Sequence, residues 1–331
     1  MKAIEKKQIL VTQHLSVGYE NNLLFQELEL VLNTGELVCF MGPNGAGKST
    51  LIRTLSGLQN AVSGRISLID PAGDSHNIDT KPNHLLSVVL TDKINAAHMT
   101  VYELVTFGRY PYLDWNVRIT PEDRQHIESA LEKISITHLA NRRLYELSDG
   151  QVQMSMIARA LAQDTPLIIL DEPTAHLDLN NRVEIMKLLR QLTRSLDKAI
   201  LLATHDLDLA LQTADRIWLT GNDKNVIEGI PEDLVLNGSF DTIFKFKGFD
   251  LKTGKVQHQP FRKPAIHLKG EGYAHLWTKN ALERNGYEVD QYDAGCTVEV
   301  KQTVDMFLWS VDNNKASFDN LASLLQFLDE N

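Results

Sequence analysis

Residues 42–50 read Gly42-Pro43-Asn44-Gly45-Ala46-Gly47-Lys48-Ser49-Thr50, a complete Gly-x4-Gly-Lys-Ser phosphate-binding loop. Gly42, Gly45 and Gly47 let the backbone turn tightly and aim successive N–H groups at a triphosphate. Lys48 has the reach for the β- and γ-phosphates, and the Ser49 hydroxyl can ligand Mg²⁺. Upstream, the apolar run from Glu36 to Met41 suits a buried strand; downstream, Leu51, Leu55 and Leu58 recur at helical spacing. A loop between a strand and a helix gains from the helix dipole, which favours phosphate charge. This pattern predicts an α/β core that binds a nucleoside triphosphate.

The chain has 331 residues, enough for one large core and a second small domain. It carries no low-complexity tract or repeat, no signal-peptide pattern and no apolar run near the roughly 20 residues that span a bilayer. A cytosolic protein is therefore expected, with any membrane role exercised through a partner. Cys39 and Cys296 lack metal-like or paired spacing and read as reduced thiols. A net charge of −10 disfavours a nucleic-acid binder.

Other polar stations follow in order. Tyr19, ahead of the loop, could stack on adenine. Leu147-Ser148-Asp149-Gly150-Gln151 opens a helical pattern of Met154, Ile157, Ala158 and Leu161, and its serine and glycine can offer a hydroxyl and N–H groups to phosphate. Leu167 to Leu170 reads as a buried parallel strand that ends in Asp171-Glu172. Adjacent carboxylates at a strand end must be hydrated, paired or metal-bound; Asp171 is placed to hold Mg²⁺ and Glu172 to act on water as general base. Leu177-Asp178 comes next, and the apolar run Ala199 to Ala203 ends at Thr204-His205-Asp206. Parallel α/β sheets bind ligands at the carboxyl ends of their strands, where these groups lie.

Together these residues resemble the ATP-binding cassette (ABC) transporter ATPase subunits, over about residues 8–260. The resemblance implies a P-loop NTPase fold: a RecA-like α/β core, an antiparallel β subdomain and a helical subdomain carrying the signature Leu147–Gln151. It implies ATP and Mg²⁺ as ligands. Tyr19 would stack on adenine, and Gly42, Pro43, Asn44, Gly45, Ala46, Gly47, Lys48, Ser49 and Thr50 would hold the phosphates. Ser49 and Asp171 would hold the metal, with Glu172 as catalytic base, His205 as switch histidine and Lys48 assisting. Ser148, Gly150 and Gln151 would complete the ATP site of a second copy, and Asp178 would communicate across that homodimer. Thr100 to Tyr112 and the tail Phe249 to Pro260 resemble importers of iron–siderophore, haem or cobalamin; zinc- or manganese-type importers share part of the pattern. Expected partners are polytopic permease subunits and a substrate-binding protein, which would place the chain on the cytoplasmic face of the cell membrane through the permease alone. A soluble ABC ATPase acting on nucleic acid is the contrasting reading; the acidic balance and single cassette disfavour it.

Two positions depart from the family pattern. Thr91 stands where a glutamine usually contacts Mg²⁺ or water, and its shorter side chain favours a water-bridged contact. Asp149 replaces the first signature glycine; its carboxylate is expected to turn away from phosphate and cap the following helix.

After a linker from Pro260 to Pro264, residues 261–331 read as a small α+β accessory domain, somewhat like a ferredoxin-type half-sandwich. Expected elements are a strand at 265–269, a helix at 272–285 with Tyr273, Leu276, Trp277 and Ala281 on one side and Gly286 as its C-cap, and strands at 287–289, 296–300 and 306–311. Ser317 is expected to cap a final amphipathic helix.

Overall fold

The computed structural model describes residues 7–19, 22–80, 84–91, 98–256, 258–262, 265–289, 294–302, 307–312 and 316–330. The chain divides into two compact units, Met1–Lys245 and Phe246–Asn331.

Among the described residues, the first unit contains a six-stranded sheet in the order Val226–Gly229, Arg216–Thr220, Leu37–Met41, Ala199–Ala203, Leu167–Asp171, Leu86–Val89. The first pair is antiparallel and the remaining pairs are parallel. Leu37–Met41, Leu167–Asp171 and Ala199–Ala203 are buried at every residue, which is why they read as continuous apolar runs rather than alternating ones. Register places Phe40 beside Ala203 and Ala203 beside Asp171, so three strands end level with one another. The phosphate loop, Asp171-Glu172 and Thr204-His205 all leave from that edge.

A five-stranded antiparallel sheet is built around Gln8–Tyr19, which pairs with Asn22–Leu28, Val31–Asn33 and Ser63–Ile69. The two sheets share one core, through which Phe25, Phe40 and Trp218 run with ring centroids 6.3 and 6.5 Å apart. A helical layer adds Val101–Thr106, Pro121–Lys133 and Asp149–Ala162. Thr100, Thr120 and Ser148 start these helices with reciprocal capping boxes. Inside the layer, buried Arg109 donates from Nε to Asp123 Oδ1 at 2.9 Å and from Nη1 to the Ala162 carbonyl at 3.0 Å. Arg159 and Gln163 fasten the layer to the sheet by donating to the carbonyls of Val88 (2.7 Å) and Leu86 (3.0 Å).

In the second unit, Phe249–Asp250 and Lys255–Val256 pair as an antiparallel hairpin, with Gly254 at positive φ in its turn. A four-stranded sheet runs Ile266–Lys269, Cys296–Gln302, Phe307–Val311, Ala316–Phe318 in chain order. Its first pair is parallel and the rest form an antiparallel meander, whereas a split βαβ unit of the ferredoxin type inserts another strand between the parallel two. The ferredoxin-type expectation therefore fails.

Other corrections follow from the packing. The helix Gly272–Arg284 buries Ala274, Thr278, Ala281 and Leu282, while Tyr273 and Trp277 are 82% and 65% exposed. Both stripes have helical spacing, but the indole N–H of buried Trp309 donates to Thr278 Oγ1 at 2.7 Å and turns that side inward. Gly286 ends this helix as expected, its N–H reaching the Glu283 carbonyl at 2.9 Å while Tyr287 N–H reaches Leu282 at 3.1 Å. Residues 287–289 form no strand; Val289 makes one bridge to Ile266. Ser317 lies in a strand opposite Ser310, and Asn320 starts the last helix, Leu321–Glu330, by accepting from Ser323 N–H at 2.9 Å. Phe318 pairs with Trp309 in the strand and packs at a tilt against Phe327, with centroids 5.3 Å apart. The expected linker is partly anchored, since the N–H groups of Phe261 and Arg262 both donate to the Gly286 carbonyl at 2.9 Å. Lys263 and Pro264 lie outside the described residues.

Candidate nucleotide site

The strand Leu37–Met41 delivers the loop, and Gly47 at φ 92° starts the helix Lys48–Leu55. Within the loop, Ala46 N–H donates to the Pro43 carbonyl at 3.2 Å, closing a turn over Asn44 and Gly45. A Cβ on Gly42 would lie 2.5 Å from the Thr220 carbonyl oxygen and 2.7 Å from its methyl, so only glycine lets the loop pass the neighbouring strand. Lys48 is 6% exposed, and Nζ donates to the carbonyls of Gly42 at 2.9 Å and Pro43 at 3.2 Å. Burial pushes its pKa down, against the pull of Glu172 and Asp171.

Next to the loop, Ser49 Oγ donates to Asp171 Oδ1 at 3.2 Å. Burial raises the Asp171 pKa, opposed by the Ser49 hydrogen bond and reinforced by the Glu172 charge. A carboxylate burdened in this way, beside a hydroxyl, is a hard-oxygen donor pair suited to Mg²⁺, which takes one or two carboxylates and completes its shell with water and phosphate. Thr91 Oγ1 donates to the backbone carbonyl of Asp171 at 2.9 Å.

Glu172 has φ 47°, a conformation that costs a non-glycine residue about 1–3 kcal/mol and collects at working sites. Its N–H is fixed to the Ala203 carbonyl at 2.9 Å, and its Oε2 lies 3.5 Å from His205 Nδ1. Lys48, Ser49, Asp171, Glu172 and His205 thus meet at one sheet edge. Tyr19, 58% exposed, ends a strand of the antiparallel sheet.

The signature turn belongs to the helical layer. Ser148 Oγ accepts from Gln151 N–H at 3.3 Å, and Gln151 Oε1 accepts from Ser148 N–H at 3.1 Å. Among the described residues, the Ser148 O–H donates to no partner. The cap is therefore Ser148, not Asp149, which occupies the first helical position with an exposed side chain. Asp178 caps the helix Leu179–Leu196. Sequence reasoning missed a groove of about 420 Å³ whose lining includes Leu58, Val88, Phe107, Pro111, Arg159 and Gln163. Its signal was the i, i+4 pair Arg159 and Gln163 on an otherwise apolar helix side.

Residues 25–175 match the ABC transporter family, and residues 262–329 match the iron ABC transporter C-terminal domain. An uncharacterized ABC transporter ATP-binding protein of Methanocaldococcus jannaschii is 35% identical over 263 residues, spanning 76% of this chain and 89% of that protein. The chain belongs to the ABC transporter ATP-binding proteins. A petrobactin import ATP-binding protein of Bacillus anthracis is 36% identical over 230 residues, 69% of this chain and 84% of the relative. Among solved structures, a chain from an ABC transporter assigned to the metal-chelate type, in an inward-facing conformation, has a TM-score of 0.64 at 29% identity, covering 72% of this chain and 90% of its own. As an ABC subunit this protein is an ATPase. Among the described residues, no helix is long and apolar enough to cross a membrane.

Proposed function

We propose that this ABC subunit powers import of an iron chelate through a separate membrane permease. The carrying observation is the convergence of Lys48, Ser49, Asp171, Glu172 and His205 at one strand edge, in a chain whose second unit matches the iron ABC transporter C-terminal domain. The import reading is supported by relatives of the petrobactin and metal-chelate types.

Two copies would sandwich two ATP molecules, each between one copy's residues 42–50 and the other's Ser148, Gly150 and Gln151. Lys48 would exchange its carbonyl partners for phosphate oxygens, whose negative charge favours the ammonium form. Ser49 and Asp171 would hold Mg²⁺, which would supply positive charge against the phosphates. Glu172 Oε2 orients water for in-line attack and draws its proton, and His205 steadies the γ-phosphate from the adjacent strand end. Tyr19 covers the adenine, and Asp178 senses the opposing copy. Closure drives the permease and hydrolysis resets it.

The permease would dock in the groove beside Phe107. The strand Leu86–Val89 lines that groove and leads to Thr91, hence to the Asp171 backbone. In this reading the subunit lies on the cytoplasmic side of the membrane, held there by the permease, with a substrate-binding protein completing the system. Glu172→Gln should accumulate an ATP-bound dimer, and the subunit should co-purify with a polytopic membrane protein and support iron-chelate uptake. A Glu172→Gln protein that turns over ATP at the wild-type rate would overturn the catalytic assignment.

A further inference from the structure

The signature turn and the Leu177-Asp178 loop meet at Asn181. Asp178 Oδ1 accepts from the Asn181 backbone N–H, and Oδ2 accepts from the Asn181 side-chain Nδ2, both at 2.9 Å. The carboxamide is thereby clamped edge-on. Against it lies Gly150, buried although Ser148 and Asp149 on the same turn are exposed. A Cβ on Gly150 would stand 2.7 Å from Asn181 Cγ and Oδ1 and 3.0 Å from Nδ2. Bare backbone of the signature helix therefore lies flush on an amide whose other edge is bonded to Asp178.

We propose that Asn181 is a positioning residue that sets the spacing between the Gly150 turn and Asp178, so that both enter the two-copy ATP site as one piece. The inference rests on the reading of that site as shared between copies. It also gives position 150 an internal reason to be glycine: any side chain there would lever Asn181 off Asp178. Asparagine fits the gap because it is flat, short and able to donate to a carboxylate. Alanine would leave the gap open. Aspartate would set two carboxylates against each other.

The test is made in the Glu172→Gln protein, measuring ATP-dependent dimerisation by sedimentation and the monomer's ATP affinity by fluorescence of a nucleotide analogue. Asn181→Ala should weaken the dimer about tenfold and Asn181→Asp further, with monomer ATP affinity within about twofold of the parent. Dimer affinity unchanged in both variants would overturn the inference. So would monomer ATP binding lost in step with dimerisation, since that marks damage to the fold rather than misplacement of the two motifs. If the Glu172→Gln parent itself stays monomeric with ATP, the shared-site reading fails, and this inference falls with it.

Discussion

Thr91 reaches Asp171 through the backbone: its hydroxyl donates to the Asp171 carbonyl oxygen at 2.9 Å. A short side chain thus ties the end of one strand segment to the peptide just ahead of Glu172. Thr91→Val removes this part-buried bond and should lower stability by about 0.5–1.5 kcal/mol. ATP affinity should survive, permease-stimulated ATPase activity should fall severalfold, and Thr91→Ser should restore both. Equal stimulated rates in Thr91→Val and wild type would rule this link out.

Burial makes the Asp171 carboxylate costly. Its folded pKa lies above the ordinary 3.8, chiefly through burial, so the folded state holds a proton that the unfolded chain releases. The stabilising share is therefore full below that ordinary value and is lost as pH rises through the raised one. Asp171→Asn should raise the melting temperature of the nucleotide-free protein, by a margin that widens from acid to neutral pH, while abolishing Mg²⁺-dependent hydrolysis. Calorimetry across pH checks the slope.

Two loop glycines should respond differently to alanine. At Gly42 the added methyl meets the Thr220 backbone at 2.5 Å, and a loss of about 3 kcal/mol is expected. At Gly45 nothing lies within 4 Å and φ is 80°, so only the backbone conformation is penalised, by about 1 kcal/mol. Thermal melts of the pair should rank them in that order.

Arg109 is 5% exposed and bonded to Asp123. Its removal strands a buried carboxylate, so Arg109→Ala should cost about 3–5 kcal/mol in chemical denaturation, and Arg109→Lys less.

Phe107, 38% exposed in the groove, touches none of the nucleotide residues by hydrogen bond or ring contact among the described residues. Phe107→Asp should leave the isolated subunit's ATPase rate unchanged and abolish co-purification with the permease.

Much of the nucleotide site was legible because its chemistry is local. Residues 42–50 and Asp171-Glu172 each announce a strand end by an apolar run followed by polar groups of one purpose. His205 became legible from the same logic applied to Ala199–Ala203. The second unit was harder. Tyr273 and Trp277 were as good a helical stripe as Ala274 and Thr278, and contacts with distant residues choose between them: the bond from Trp309 and the packing of Ala274 and Leu282 into the core. Ser317 had the chemistry of a cap but sits where strand pairing with Ser310 claims it. Asp149 could not be placed by residue type alone, because Ser148 one position earlier takes the same role with better register. Long-range pairing, not local preference, made these choices.

The bonds from Lys48 Nζ to Gly42 and Pro43 have a thermodynamic consequence. The ammonium braces the cradle from within, so little chain entropy is left to lose when a triphosphate arrives. Binding should then proceed with a small heat-capacity change, and the discrimination between ATP and ADP should rest on where one cation transfers its hydrogen bonds rather than on a loop folding around its guest.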